Sequence, residues 1–138
     1  MKNILIAFAV FLSLCFIVPV SAKATTFDIV VPLDVVVPIR GAQCALTFNP
    51  AVCQCLGIAE GNFLNDWAVA NHDVTIEYPQ PVIDNANGIV SDIGIAIMGT
   101  NKGGVVGSGI FCIYHMVGEP QYSVVDVVVA DQYGNVIK

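Results

Sequence analysis

The chain has 138 residues, 56% hydrophobic and only 12% charged, with eleven acidic against five basic side chains. That length accommodates one domain of ordinary size and not two. No basic run occurs anywhere, which excludes a nucleic-acid or anionic-membrane footprint, and the singly scattered acids read as solubility, not as an interaction tail.

The chain opens Met1-Lys2-Asn3, runs apolar from Ile4 to Val18, and reaches Pro19-Val20-Ser21-Ala22. A basic start, a short apolar run and small residues at its end describe a secretory signal peptide. Residues 1–22 are therefore expected to be a leader, and 23–138 a single extracellular domain with no membrane association after cleavage. The cut falls after Ala22, or after Ala24 through Ala22-Lys23-Ala24. An uncleaved anchor is the alternative, because Ile4 to Ala22 carries no charge and nearly spans a bilayer. Leu14 before Cys15 does not suit a lipoprotein cleavage box. Removing the leader takes away Lys2 and no acid, so the net charge moves from −6 to −7.

Phe27 to Val31 and Val35 to Ile39 are β-branched runs that read as two short strands separated by Pro32-Leu33-Asp34. Next, Cys44, Leu46 and Phe48 alternate with Gln43, Ala45 and Thr47, the period of a strand with one face on a core. Asn49-Pro50 breaks it, since proline cannot donate to a ladder and restricts its predecessor. A second run, Val52 to Ala59, ends at Glu60-Gly61-Asn62. Val74 to Tyr78 alternates, Asp84 to Gly88 is a turn, and Ile89 to Met98 returns as a strand with Ile89, Ile93, Ile95 and Ile97 on one face. A glycine-rich loop, Gly99 to Gly109, precedes the strand Ile110 to Val117. Tyr122 to Ala130 and Val136-Ile137-Lys138 close the chain. No stretch beyond the leader shows helical periodicity, and many short strands at near-regular spacing predict an all-β antiparallel sandwich. Cys44, Leu46, Phe48, Cys112 and Tyr114 are its expected core.

Chemistry is sparse. The loop Gly99-Thr100-Asn101-Lys102-Gly103-Gly104 lacks the G-K-[ST] order of a phosphate cradle. Asp84-Asn85-Ala86-Asn87-Gly88 mimics a calcium loop, but Ala86 occupies a ligand position and no bidentate Glu follows. Cys112 and His115, three apart on one strand, point to opposite faces and cannot cooperate, and His72 beside Asp73 has the same difficulty. No enzyme, cofactor or resident metal is expected. Cys44, Cys53, Cys55 and Cys112 remain after cleavage, an even count that permits disulfides, although a cysteine in phase with Leu46 and Phe48 also serves as a small hydrophobe. Cys53 and Cys55 share one face of one strand and do not readily bridge, and a lone C-x-C is a weak zinc signal.

Two strands are apolar on both sides. Ile110, Cys112, Tyr114 and Met116 make one face, Phe111, Ile113, His115 and Val117 the other; Val125, Val127 and Val129 are backed by Val124, Asp126 and Val128. Either both faces are covered, or the outer one binds a partner.

The stretch from Ala42 to Leu64 resembles the cohesin family, whose domains carry an A-Q-x-x-L-x-[YF]-[DN]-P-x-V strand and corner. The matching residues are Ala42, Gln43, Leu46, Phe48, Asn49, Pro50 and Val52, then Gly61 and Leu64. Gly109-Ile110-Phe111 is similar to the family's G-x-[LF] strand opening, and Asp131 to Ile137 to its closing turn and last strand. The family usually has a longer first strand and a loop before the A-Q strand, which this chain lacks. The resemblance implies a jelly-roll sandwich that acts as a protein–protein interaction module, binding a dockerin-like partner in the assembly of extracellular polysaccharide-degrading complexes. Calcium would belong to the partner's loops. It further implies that the Ala42–Phe48, Ile110–Val117 and Tyr122–Ala130 strands lie together in one sheet. The contact positions then fall at Gly41, Gln43 and Ala45 on the first strand and at Val124 and Asp126 on the last, with Phe111, Ile113 and Val128 supplying apolar area. Family members often carry an acid or Asn near Gln43. In the same arrangement Cys44 and Cys112 sit on neighbouring strands with both thiols inward, which permits one bridge. A carbohydrate-binding sandwich using Trp67, Tyr78 and Tyr133 is the alternative function, and a purely structural surface or adhesin module a third.

Overall fold

The computed structural model describes residues 23–137; the expected leader, 1–22, lies outside the described residues. In chain order the elements are β1 (Thr26–Ile39), β2 (Gly41–Phe48), β3 (Cys53–Glu60), α1 (Asn62–Ala70), β4 (Val74–Glu77), β5 (Ile83–Asp84), β6 (Ile89–Met98), β7 (Val105–Gly118), β8 (Tyr122–Val124) and β9 (Val128–Ala130). One sheet has the order β1-β7-β3. The other runs β4-β6-β2-β8, with β5 added to β6 and β9 to β2. All strand pairings are antiparallel, and one apolar cluster fills the space between the sheets. The all-β sandwich expected from the strand spacing is what the chain adopts. Cys44, Leu46, Phe48, Cys112 and Tyr114 are all buried in its core.

The expected pair of short strands before Arg40 is one fourteen-residue strand. The Thr25 carbonyl accepts from the Gly118 amide at 2.9 Å, so odd-numbered residues of β1 turn their backbone groups toward β7 and even-numbered ones toward the free edge. Pro32 is even-numbered. Its missing N–H falls on the edge that pairs with no other strand among the described residues, where it costs the ladder nothing and guards against strand addition.

The expected grouping of strands fails at β7, which lies in the opposite sheet from β2, β8 and β9. Its face assignment fails as well. Val31 pairs with Cys112 and Pro32 with Ile110, leaving Phe111 as an extra residue in a β-bulge. The bulge turns Phe111 inward beside Cys112, and both are buried. Ile113 keeps its outward phase, half-buried on the outer face of the first sheet.

Tyr122 to Ala130 is two short strands, not one. Leu46 pairs with Val124 but Gln43 pairs with Val128, a slip of one residue that reverses the faces between them. Val124 therefore points inward against the core and Val128 outward. A similar irregularity sets two residues of β6, Ser91 and Asp92, opposite Ala45, so that Val90 is buried with Ile93, Ile95 and Ile97 while Ile89 is exposed.

Helix α1, absent from the sequence reading, buries Phe63, Leu64 and Ala68 and packs against β7, β4 and β6, closing one side of the sandwich. His72 follows its last turn with a left-handed φ of 58°, so His72 and Asp73 belong to a helix exit and not to a strand. The opposite side stays open as a cleft of ≈ 620 Å³ between β1 and the β8–β9 segment, bordered by Leu33, Val35, Asp126 and Val127.

Candidate partner-binding face

The outer face of the second sheet is built from alternate residues of β2, β6, β9 and β4. Gly41 sits between Ala96 and Ala130, and Gln43 between Gly94 and Val128. Because Ala42, Ile95 and Val129 take the inward positions, the floor they leave outside consists of glycines and alanines with Gln43 and Val128. It is a shallow trough of ≈ 290 Å³, walled by Tyr78 on the β4 side and Val136 on the other. The Tyr78 side chain is 79% exposed. Its backbone lies so close to Gly94 that a Cβ there would meet the Tyr78 carbonyl oxygen at 2.2 Å, and the Tyr78 amide donates to the Gly94 carbonyl at 2.8 Å. Glycine at 94 is what allows the aromatic wall to stand over the floor.

Strand β4 extends the face and inverts the usual alternation. Val74 and Ile76 pair with Met98 and Ala96 on the outer side, whereas Thr75 and Glu77 take the side of Ile97 and Ile95. Val74 is 60% and Ile76 43% exposed. The inner side of β4 is polar because it meets Glu60 at the end of β3; the Thr75 hydroxyl donates to Glu60 Oε2 at 3.0 Å. Among the described residues of this face none is basic, and Glu77 and Asp92 stand exposed beside it.

The corner where β1 enters β2 is locked by Arg40. Its Nη2 donates to Asp73 Oδ2 at 3.1 Å, and its Nη1 to the carbonyls of Asn101 (2.7 Å) and Gly103 (3.0 Å). The guanidinium also lies 5.5 Å over the Trp67 ring, a cation–π contact. Asn101 Nδ2 donates to Asp73 Oδ1 at 3.0 Å and to the Asn71 carbonyl. Burial pushes the Asp73 carboxyl up, but the Asn101 and Arg40 hydrogen bonds outweigh it and hold it below the usual carboxylate range. A depressed folded-state pKa contributes stability above the unfolded value of about 3.9 and loses it as pH falls through the folded one. Melting temperature is accordingly expected to fall below about pH 4, and Asp73→Asn should melt lower at pH 7 and flatten that acid limb. Calorimetric scans from pH 7 to pH 2.5 check both.

Of the positions assigned from the sequence, Gly41, Gln43, Ala45 and Val128 meet on this one face. Asp126 is exposed at the mouth of the open cleft, Val124 is turned into the core, and Phe111 and Ile113 belong to the other sheet. Gly94, Ala96, Met98, Val74 and Ile76 were missed, and Tyr78 enters from the sequence only as an aromatic of the carbohydrate alternative. An edge-strand alternation with its polar residues inward was the available signal, and it is readable only once Glu60 is known to lie beneath Thr75. Among the three aromatics of the carbohydrate alternative, Trp67 is half-buried beneath Arg40, leaving Tyr78 and Tyr133 exposed. Among the described residues no three His, Cys, Asp or Glu side chains form a metal-holding group, and no helix is long and apolar enough to cross a membrane.

Fold and face together define an all-β sandwich domain that presents one flat, small-residue sheet face. Solved structures that match it are cohesin modules, and the chain has the cohesin-domain fold. A type II cohesin from a cohesin–X-dockerin complex of Acetivibrio cellulolyticus superposes with a TM-score of 0.62 at 14% identity, over 84% of each chain. A non-cellulosomal cohesin from the hyperthermophilic archaeon Archaeoglobus fulgidus gives 0.55 at 12% identity, covering 84% of this chain and 75% of its own. A third cohesin of Acetivibrio cellulolyticus, in complex with a dockerin, gives 0.58 at 13%, over 83% and 79%. Neither a family model nor a curated protein matches the sequence.

Proposed function

We propose that the chain is a secreted recognition module that captures a dockerin-like helical partner on the outer face of its second sheet, serves in assembling extracellular polysaccharide-degrading complexes, and performs no catalysis. The carrying observation is the trough of Gly41, Gly94, Ala96 and Ala130 beneath Tyr78. A floor of mostly glycine and alanine admits the close approach of a helix, and exposed Val74, Ile76 and Met98 extend its apolar area. Gln43 supplies a directional hydrogen bond from the middle of the floor, the kind of group that sets register. Two of the matching structures are cohesins solved in complex with a dockerin, which supports a partner of that class. Calcium belongs to the partner's loops.

The test is calorimetric titration of the domain with a panel of calcium-loaded type I and type II dockerin modules, with and without EDTA. Binding by at least one module is expected, abolished by EDTA while the melting temperature of the free domain stays unchanged. No binding across the panel would overturn the reading, and secreted protein that retains Met1 by mass spectrometry would overturn the leader.

A further inference from the structure

Cys44 on β2 and Cys112 on β7 reach the core from opposite sheets, 68 residues apart in sequence, and their sulfurs lie 3.7 Å apart. The expectation from the sequence placed them on neighbouring strands; they instead face each other across the sandwich. Cys44 Sγ also lies 3.3 Å from the Tyr114 hydroxyl, and all three side chains are buried. We propose that Cys44 and Cys112 are a disulfide-forming pair, closed into an inter-sheet bond when the chain folds in the presence of a disulfide-bearing oxidant.

The geometry selects this pair. A disulfide needs sulfurs at about 2.0 Å and Cβ atoms at about 3.5–4.5 Å. The two sulfurs must therefore close by less than about 2 Å. Cys53 and Cys55 are buried on the same side of β3 but two positions apart, about 6.6 Å along a strand, beyond the range a bridge spans. The Asn85 side chain holds Cys55 in place from both sides, accepting from its amide at 2.8 Å and donating to its carbonyl at 3.0 Å. A catalytic or metal role does not suit Cys112: the hydrogen bond with Cys44 and burial both push its thiol up.

Burial of both sulfurs, out of reach of a dissolved oxidant, puts the chemistry before the sandwich closes. One cysteine thiolate of the open chain attacks the oxidant R–S–S–R, forming a mixed disulfide and releasing R–S⁻, which takes up the proton the cysteine gave to solvent. The fold then brings up the second cysteine, whose thiolate displaces the remaining R–S⁻. Two Cys–SH and one R–S–S–R become one Cys–S–S–Cys and two R–SH, so both electrons and both protons end on the oxidant. The bond would tie β2, between Gln43 and Ala45, to the strand behind it, fixing the middle of the outer face while closing a loop that contains β3, α1, β4, β5 and β6.

The full chain, reduced and unfolded, is refolded in a mixture of reduced and oxidised glutathione; free thiols are alkylated and the protein is digested without reduction. Mass spectrometry is expected to find a peptide pair linking Cys44 to Cys112, with Cys15, Cys53 and Cys55 alkylated. Adding reductant should lower the melting temperature by about 5–15 °C in the parent and in Cys53→Ala/Cys55→Ala, and should leave Cys44→Ala/Cys112→Ala unmoved. Should that last variant fail to fold, the mapping in the parent and in Cys53→Ala/Cys55→Ala carries the result alone. Alkylation of both Cys44 and Cys112 after oxidative refolding, or a bond to any other cysteine, overturns the proposal.

Discussion

Leu46→Ala is expected to melt about 10–15 °C below the parent, following a loss of about 3 kcal/mol. Leu46 is fully buried and sits on β2 between Val90 of β6 and Val124 of β8. Truncation forfeits the transfer energy of the lost methyl groups and leaves a cavity. The surrounding ladders cannot collapse into it, because β2 is held on both sides by main-chain pairing. Leu56→Ala is the control. Leu56 lies on β3 and is mostly exposed, so its truncation should change stability by no more than about 0.5 kcal/mol. Thermal unfolding followed by circular dichroism separates the two. Equal shifts would mean that the inward phase of β2 is misassigned.

That contrast also marks how far the sequence was legible. β2 was readable because its alternation is unbroken and its corner is local: Asn49 Oδ1 accepts from the Ala51 amide two residues on, at 3.1 Å. The errors fall where the ladder departs from a strict period of two. The bulge at Phe111, the slip between Val124 and Val128 and the doubled residues at Ser91-Asp92 each reverse a face. Register is a property of two strands, so none of the three is written in one strand's own pattern. Sheet membership of β7 is equally non-local. Helix α1 escaped because nine residues give only about two and a half turns, its N-cap Gly61 provides no side-chain hydrogen bond, and its buried residues Phe63, Leu64 and Ala68 are too few to display a period.

Arg40 escaped for a different reason. A single arginine between two strands looks like an ordinary surface charge, and its importance comes from four distant groups converging on it: Asp73, Asn101, Gly103 and the Trp67 ring. The same convergence positions the candidate face. Arg40 immediately precedes Gly41, its amide donates to the Ala130 carbonyl at 2.9 Å and its carbonyl accepts from the Ile97 amide at 2.7 Å. The three strands that build the trough floor are thus gathered at one locked corner.

Ala96→Arg is expected to weaken binding of a dockerin-class partner at least about 100-fold while leaving the melting temperature of the domain within about 2 °C of the parent. Ala96 occupies the middle of the outer face, paired with Gly41 on one side and Ile76 on the other, and its methyl group is part of the trough floor. An arginine there has room to extend outward, so the core behind it, Ile95 and Ile97, is undisturbed. Its length fills the space into which a helix would settle, and its charge is desolvated by any apolar surface laid upon it. Gln43→Ala should cost less, about tenfold, because it deletes one hydrogen bond from a floor that otherwise keeps its shape. Two substitutions on the other sheet give the opposite expectation: Leu56→Asp and Ile113→Ser lie outside the face and should bind as the parent does. Phe111→Ser cannot serve in this comparison, since Phe111 is buried and its loss reports on folding. Isothermal titration with a partner first shown to bind the parent decides the matter. Undiminished binding by Ala96→Arg together with loss in Ile113→Ser would move the partner to the β1-β7-β3 sheet, behind which neither the trough nor Tyr78 could take part.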